Sequence, residues 1–403
     1  MNIASAEPGD ALPSPLDAAT VTRLAKERRS EVQSARWRAV AASQEPTIVS
    51  ALPDPMVIAS LDHLPFSFMG ADASLSVEQE FPLSGIRGAR GRAAQAEADH
   101  WHADAHRAEL DVGLEALDAF YMLAERRGIA PVLDDQIALV GELANISRAH
   151  LASGHGTQSD VLRLDNERAR LEAERRALTA ETSGAEAMLN TALARSADAA
   201  VPELAWRDEI TEPAATTALV RQAIERRPEI AAVRADQARA VAQIEVMRSM
   251  YKPMAFVRAG PAYTMDAGAG VMAMVGVSVP LWRDKLAAGV DEAKAMRSMS
   301  SSDLDAIARM ITGRIAAARD VVAAERIRYL AIRDDILPRA RLVVESATGS
   351  FAGGQGSMIE ILDATRDLRD IRMQEVMARS RLGAAWAALR RETGDFGGSR
   401  PPH

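Results

Sequence analysis

The chain contains no cysteine. That excludes disulfides, thiolate metal sites and thiol catalysis, and it suits an oxidising compartment where stray thiols are a hazard. Aromatics are only 4% of the 403 residues. Ala, Arg, Glu, Asp and Leu instead crowd long stretches without Gly or Pro, the profile of long helices packed by small side chains. A chain of this length suggests two or three globular domains at roughly 150 residues each, but this composition argues against ordinary globules. No stretch approaches the ~18 consecutive apolar residues of a membrane-spanning helix. Any passage through a bilayer interior would therefore need a closed β-barrel, in which every backbone group finds a partner. Met1 to Ser14 lacks the charged start and apolar run of a signal peptide, which reads as a cytosolic start or as a chain whose leader has been removed. Net charge is −8, and the charges alternate in sign along the helical stretches. There is no basic stripe for nucleic acid to bind. Hydrophobic residues are still 48%, too many for a disordered chain.

What the chain does contain is itself, twice. Glu27-Arg28-Arg29-Ser30-Glu31-Val32 recurs as Glu225-Arg226-Arg227-Pro228-Glu229-Ile230, and Phe81-Pro82-Leu83 as Val279-Pro280-Leu281, both at an offset of 198. Asp134-Asp135 matches Asp334-Asp335, Gly154-His155-Gly156-Thr157 matches Gly354-Gln355-Gly356-Ser357, and Asp160-Val161-Leu162 matches Glu360-Ile361-Leu362, all at 200. A register this steady marks a tandem duplication. The boundaries expected are a flexible N-terminus over 1–15, a first repeat over 16–195, a linker over 196–214, a second repeat over 215–392 and a disordered tail over 393–403.

Both copies follow one pattern. A first helix (16–43, 215–249) runs into a proline-punctuated stretch and a β-hairpin, about 48–82 in copy one and 253–281 in copy two. Val275, Val277 and Val279 alternate with Met274, Gly276 and Ser278, and Leu75, Val77, Gln79 and Phe81 alternate with Ser76, Glu78 and Glu80. Pro82 and Pro280 close these strands, because proline cannot donate to a ladder. Partner strands are expected near 48–60 and 253–263, although Pro53, Pro55 and Pro261 interrupt them. A very long helix follows (84–150, 283–349), about 67 residues or on the order of 100 Å. Gly128 with Pro131, and Pro338, predict a bend or break near each middle. After a Gly-x-Gly turn comes another long helix (157–194, 357–392). Leu164, Leu171, Leu178 and Ala185 recur every seven residues, and Ile361, Ala364, Leu368, Ile371, Ala378, Leu382, Ala385 and Leu389 hold a 3,4 spacing broken where Glu375 takes a seam position. Both patterns are coiled-coil seams. Amphipathic helices of a globular bundle would not reach this length.

Two hairpins give four strands, too few to close a barrel and hazardous as an open apolar sheet. Three chains supply twelve, enough to enclose a water-filled lumen, with coiled coils extending the tube as a helical barrel. The fold class is therefore mostly α with a small β part.

Across residues 16–392 the chain resembles the TolC-like outer-membrane efflux proteins. The resemblance rests on the duplicated Glu-Arg-Arg-x-Glu opening, Gln79-x-Phe81-Pro82-Leu83-x-Gly85, the Gly-x-Gly-(Thr/Ser)-x-x-(Asp/Glu)-(Val/Ile)-Leu of both turns, and Met188-Leu189-Asn190 ending copy one. It implies a homotrimer in the outer membrane, extending into the periplasm, that works with a periplasmic adaptor and an inner-membrane efflux pump as a passive export duct. Leu52-Pro53-Asp54-Pro55 resembles the heavy-metal efflux branch more than the drug-efflux branch. Many relatives start with a lipid-bearing Cys after a signal peptide; here neither stands at the start. A periplasmic adaptor or soluble coiled-coil scaffold without a pore is the alternative, but adaptors carry one helical hairpin, and this chain has two equal copies. Which substrate, metal ion or small toxic compound, the sequence does not say.

Gly154, Gly156, Gly354 and Gly356 mark the two turns. A plain helix-to-helix turn needing positive φ accounts for them; the resemblance adds that these tips are where adaptor hairpins dock. The resemblance also places acidic gate residues just inside, at Asp160, Glu360 and Asp363, with Arg163 one turn after Asp160. Thr157-x-x-Asp160 and Ser357-x-x-Glu360 are capping-box spacings, so a cap alone and a cap that doubles as a gate both fit. Asp363 is too deep in its helix to cap, and three copies around an axis would form a carboxylate ring favouring cations. Phe351 is expected to pack against the first-copy turn. His102 and His106 share a helical face at metal-chelating spacing, but Asp104 points elsewhere and a solvated helix explains them better. Met247, Met250, Met254, Met265, Met272 and Met274 surround the second hairpin, where apolar filler competes with a soft-metal relay. Nothing matches a Ser-His-Asp set, a phosphate loop or a paired-carboxylate site. No catalysis and no cofactor are expected.

Overall fold

A computed structural model describes residues 11–62, 71–154, 156–352 and 355–396. Copy one supplies β1 (Leu16–Asp17), α1 (Ala18–Arg28), α2 (Ser30–Ala42), α3 (Glu45–Ser50), β2 (Met56–Asp62), β3 (Asp72–Pro82), α4 (Ile86–Ala152) and α5 (Gln158–Ala192). The junction holds β4 (Leu204–Ala205), paired in parallel with β1. Copy two supplies α6 (Thr216–Arg226), α7 (Pro228–Ser249), β5 (Met254–Thr264), β6 (Gly268–Ser278), α8 (Arg283–Ala331), a π-helical segment (Ile332–Ile336), α9 (Leu337–Ala352) and α10 (Met358–Thr393).

Three expectations need correction. The strand expected from 48 starts only at Met56, because residues 45–50 form a short helix with Pro46 in its first turn, where proline's missing N–H costs nothing. Each first helix is two helices, parted at Arg29 and at Arg227, whose extended ψ angles of 129° and 127° turn the chain. The first long helix is unbroken through Pro131, whereas the second widens into π turns just ahead of Pro338. Proline there lacks an N–H and its ring presses on the carbonyl four residues back, which the wider turn relieves.

The chain forms two compact units, and each draws on both copies. The strand-bearing unit comprises 34–106 and 228–309. Its sheet runs β2-β3-β5-β6, antiparallel throughout, so β3 and β5 join the hairpins of the two copies. β5 continues through Pro261, which pairs with Val271 on β6. Toward β3, however, the ladder skips Gly260 and Pro261. Proline has no N–H to give there, and a Cβ on Gly260 would lie 2.0 Å from the Leu75 carbonyl oxygen. The two faces differ. Val57, Leu75, Val77, Val257, Tyr263, Val271 and Val275 stand exposed on one. The other carries Ser60 hydrogen-bonded to Ser74 at 2.7 Å and the buried Glu78, paired with Arg258 opposite it at 2.6 Å.

The helical unit comprises the start of the chain to Gln33, 107–227 and 310 onward. The seam residues Leu164, Leu171, Leu178 and Ala185, and Ile361, Ala364, Ala378, Leu382, Ala385 and Leu389, are buried, as the heptads require, whereas Leu368 and Ile371 of the same seam are half-buried. The second Arg of each opening motif anchors a helix joint. Arg29 grips Glu31 and Glu115 at 2.8 and 3.1 Å, and the fully buried Arg227 grips Glu392 at 2.5 Å. The 196–214 stretch is strapped down. Arg127 donates to the Val201 and Pro202 carbonyls, Tyr329 and Arg379 to Asp208, and Trp386 and Arg390 to Glu209.

Gly260→Ala is expected to lower the thermal unfolding midpoint, costing about 3 kcal/mol, the upper end for overpacking, because the clash is with backbone. Gly270→Ala, with open space around it, should unfold like the parent in the same scan.

Candidate functional site

The residues singled out at the two helical turns lie in the helical unit, so their geometry can be followed within one body. At the first turn Gly154 has φ +77°, the left-handed region that favours glycine. Gly156 and Gly356 are needed for a different reason. A Cβ on Gly156 would sit 2.9 Å from the Leu151 nitrogen, and one on Gly356 2.8 Å from the Phe351 nitrogen. In each turn the chain folds back onto the helix it has just left. Gly354 lies outside the described residues. Phe351 meets the first-copy turn, its ring stacked on His150 at 5.6 Å between centroids.

The caps form as the spacing predicts. Thr157 accepts from the Asp160 N–H at 3.2 Å and donates its hydroxyl to the Asp160 carboxylate at 2.6 Å. Ser357 and Glu360 form the reciprocal box, at 3.2 and 3.1 Å. These two carboxylates are therefore committed to their helix starts. Asp363 is not: it is 65% exposed and, among the described residues, pairs with Arg366 alone, at 3.5 Å.

Two turns further in lies a feature that sequence reasoning missed. Glu167, 3% exposed, accepts from Arg366 at 2.5 Å and from Arg369 at 3.4 Å. Arg369, itself nearly buried, also holds Asp370 at 2.7 Å. The Arg366 hydrogen bond keeps the Glu167 carboxyl below its ordinary range, against the opposing effect of burial. The arrangement clamps α5 of copy one to α10 of copy two. A signal for it existed: Glu167 stands between Leu164 and Leu171, on the seam, where a charge needs a partner. Beside the clamp a cleft of ≈ 250 Å³ opens between α5 and α10, lined by Arg163, Asn166, Arg170, Ile359 and Asp363. The duplicated positions carry opposite charges there, Arg163 against Asp363 and Arg170 against Asp370.

The remaining candidates lie in the strand-bearing unit. His102 Nε2 is 3.0 Å from the Ser43 hydroxyl, and no three His, Cys, Asp or Glu side chains gather as a metal site among the described residues. His100 Nδ1 lies 3.2 Å from Asp236. Among the methionines, Met247 sits against Gly289, while Met250, Met254, Met265 and Met274 are exposed in the single chain.

One unit carries paired helical tips and the other a small antiparallel sheet with an apolar face, and the fold is that of channel proteins. Residues 219–395 match the family described as Outer membrane efflux protein. The cobalt-zinc-cadmium resistance protein CzcC of Cupriavidus metallidurans is 24% identical over 326 residues, 80% of this chain and 77% of that one. The outer membrane efflux protein BepC of Brucella suis is 24% identical over 288 residues, 70% of this chain and 62% of that protein. The crystal structure of the outer membrane protein VceC from Vibrio cholerae superposes with a TM-score of 0.76 at 16% identity, over 94% of this chain and 96% of that one; this likeness shows the fold. The second repeat of the chain thus resembles the outer membrane efflux proteins, and the whole chain shares the fold of solved outer-membrane channels.

Glu167→Gln removes the buried charge that Arg366 and Arg369 share, while Asp370 still holds Arg369, and is expected to cost about 1.5–3 kcal/mol, the range for a hydrogen bond to a charged group. The folded-state pKa of Glu167 lies below the ordinary 4.5. Its contribution is therefore fully present above that pH and lost as pH falls through the lowered value. Thermal midpoints of parent and variant should differ most near neutrality and converge below the ordinary carboxylate pKa.

Proposed function

We propose that three copies of this chain close a twelve-stranded barrel and act as a passive export duct, driven by an inner-membrane pump and joined to it by a periplasmic adaptor at the helical tips. The observation that carries the reading is the sheet. Its four strands are antiparallel, one face is apolar and exposed, and β2 and β6 each pair on one side only. Because β6 runs antiparallel to β2, the β6 of one copy can continue into the β2 of the next without reversing direction. Twelve strands then leave no edge. A pore-free adaptor or scaffold would have no use for such a sheet.

The tips at Gly154, Gly156, Gly354 and Gly356 serve as the docking points, and Asp160, Glu360 and Asp363 form the periplasmic gate. Asp363 is the central member, because its carboxylate is exposed and committed to no cap. The clamp of Glu167 on Arg366 and Arg369 keeps α5 against α10, so separating these helices means breaking it. Metal ions are a substrate consistent with the cobalt-zinc-cadmium resistance relative. Small toxic compounds are consistent with a duct whose walls gather no metal-ligating cluster among the described residues.

Two measurements test this. Sedimentation in detergent should give a trimer; a monomer, or a protein fully soluble without detergent, would sink the barrel. In planar bilayers Asp363→Asn should lower cation preference and block by divalent cations while the trimer persists. Glu360→Gln should do the same and also cost about 1 kcal/mol through the lost cap. If both variants conduct and select like the parent, the gate assignment fails and the capping role stands alone.

A further inference from the structure

The strand-bearing unit separates charge between the two ends of its sheet. At the hairpin end, Asp62, Asp72 and Asp266 close the strands, and no Lys or Arg occurs anywhere in 62–72 or 264–268. At the opposite end, where Pro82, Met254 and Ser278 lie in register, the chain turns basic. Residues 83–92 and 246–253 contain five cations and no acid, and 279–288 contain Arg283 and Lys285 against Asp284 alone. The lysines make the same point. The chain has four in all, and three of them are Lys252, Lys285 and Lys294.

This collar is available for a partner. Arg90, Arg248, Lys252, Arg283 and Lys285 are exposed, and no carboxylate pairs with any of them among the described residues. The two remaining cations are engaged, Arg92 with Glu245 and Arg87 with the Ser50 carbonyl. Within two helical turns of the strand ends, about 10 Å, stand Leu83, Leu281 and Trp282, the last two the most exposed large apolar side chains outside the strands among the described residues. Trp282 is 78% exposed, Leu281 73% and Leu83 55%. Arg283 lies over the Tyr251 ring at 5.9 Å. An apolar strand face, then an indole with leucines, then unpaired cations is the order of chemistry met on leaving a bilayer through its headgroups.

We propose that this collar binds the headgroups of anionic phospholipids at the periplasmic edge of the barrel, with Trp282 seated at the acyl boundary and Lys252, Arg283 and Lys285 holding the phosphates. The proposal rests on the reading that the sheet is a membrane barrel and adds which lipid its rim selects. It also orients the unit: the acidic hairpin end points away from the phospholipid leaflet.

The test is the relative association of spin-labelled phosphatidylglycerol and phosphatidylcholine with the full-length protein reconstituted in phosphatidylcholine vesicles. The parent should prefer phosphatidylglycerol several-fold. The preference should fall toward unity in Lys252→Gln/Arg283→Gln/Lys285→Gln and at high salt. Trp282→Ala should weaken retention of both lipids alike. Arg234→Gln, further along α7, should leave the preference unchanged and controls for general loss of charge. Equal association of both lipids with the parent, or an unchanged preference in the triple variant, overturns the proposal. So does a triple variant that loses binding of lipopolysaccharide but not of phosphatidylglycerol, because the partner would then be the other leaflet. A parent that enters no vesicle at all contradicts the barrel reading instead, so the two failures are distinguishable.

Discussion

Along β2 and β6 the backbone groups that face outward from the sheet meet no strand among the described residues. In water such edges recruit other chains, and in hydrocarbon an unpaired N–H or C=O costs several kcal/mol. The sheet also exposes valines and leucines on one face, which water does not tolerate cheaply as a continuous patch. The closure by identical copies inside a bilayer that we propose resolves both difficulties, and much of the remaining structure is consistent with it. In such a barrel the polar face would line the lumen, and the Glu78–Arg258 pair sits where the hairpins of the two repeats meet. The strands must end where the helices begin, and that junction is where the cations collect.

Duplication gives the chain symmetry of shape but not of charge. The second copy's last helix carries arginines onto carboxylates outside that helix: Arg391 onto Asp111, Arg372 onto Asp135, Arg366 onto Glu167 and Arg379 onto Asp208. The first copy's corresponding helix reaches a carboxylate outside itself through Arg175, onto Asp134 of its own copy, while its Arg163 and Arg170 face the cleft. Two equal helical hairpins could pack in several registers. A ladder of unlike charges, with one buried member at Glu167, selects a single one. This is the use of buried ionic groups for specificity rather than for stability alone.

Much of this was legible in the sequence because it depends on period. The seven-residue recurrence from Leu164 to Ala185 and the alternation from Val275 to Val279 each fix which side chains are buried or exposed, whatever the partner. The capping boxes at Thr157 and Ser357 are equally local, and they formed as their spacing requires. What stayed hidden depends on contacts distant in sequence. Arg29 and Arg227 mark the repeat, but nothing nearby says that they close helix joints on Glu115 and Glu392. The strapping of residues 201–209 requires Arg127, Tyr329, Arg379 and Arg390 to converge from three helices. Pro131 and Pro338 look alike in sequence, yet one helix continues and the other takes a π turn. Gly128 offers a reason on the first side: Val376 packs so closely that a Cβ there would lie 2.8 Å away, and neighbours of this kind decide whether a helix absorbs its proline.

The central claim is that β6 of one copy pairs with β2 of the next, and the absence of native cysteine makes it directly measurable. Ile58→Cys on β2 can be combined in turn with Gly270→Cys, Met272→Cys or Met274→Cys on β6, which spans the stagger closure could adopt. Within one chain these strands are separated by two others, about 14 Å at the usual strand spacing, beyond the reach of a disulfide. Any bond must therefore join two copies. Oxidation followed by denaturing electrophoresis is predicted to yield covalent dimers and trimers for at least one pair, with no larger species. Monomers from every pair, or an open ladder extending beyond trimer, would contradict closure by three.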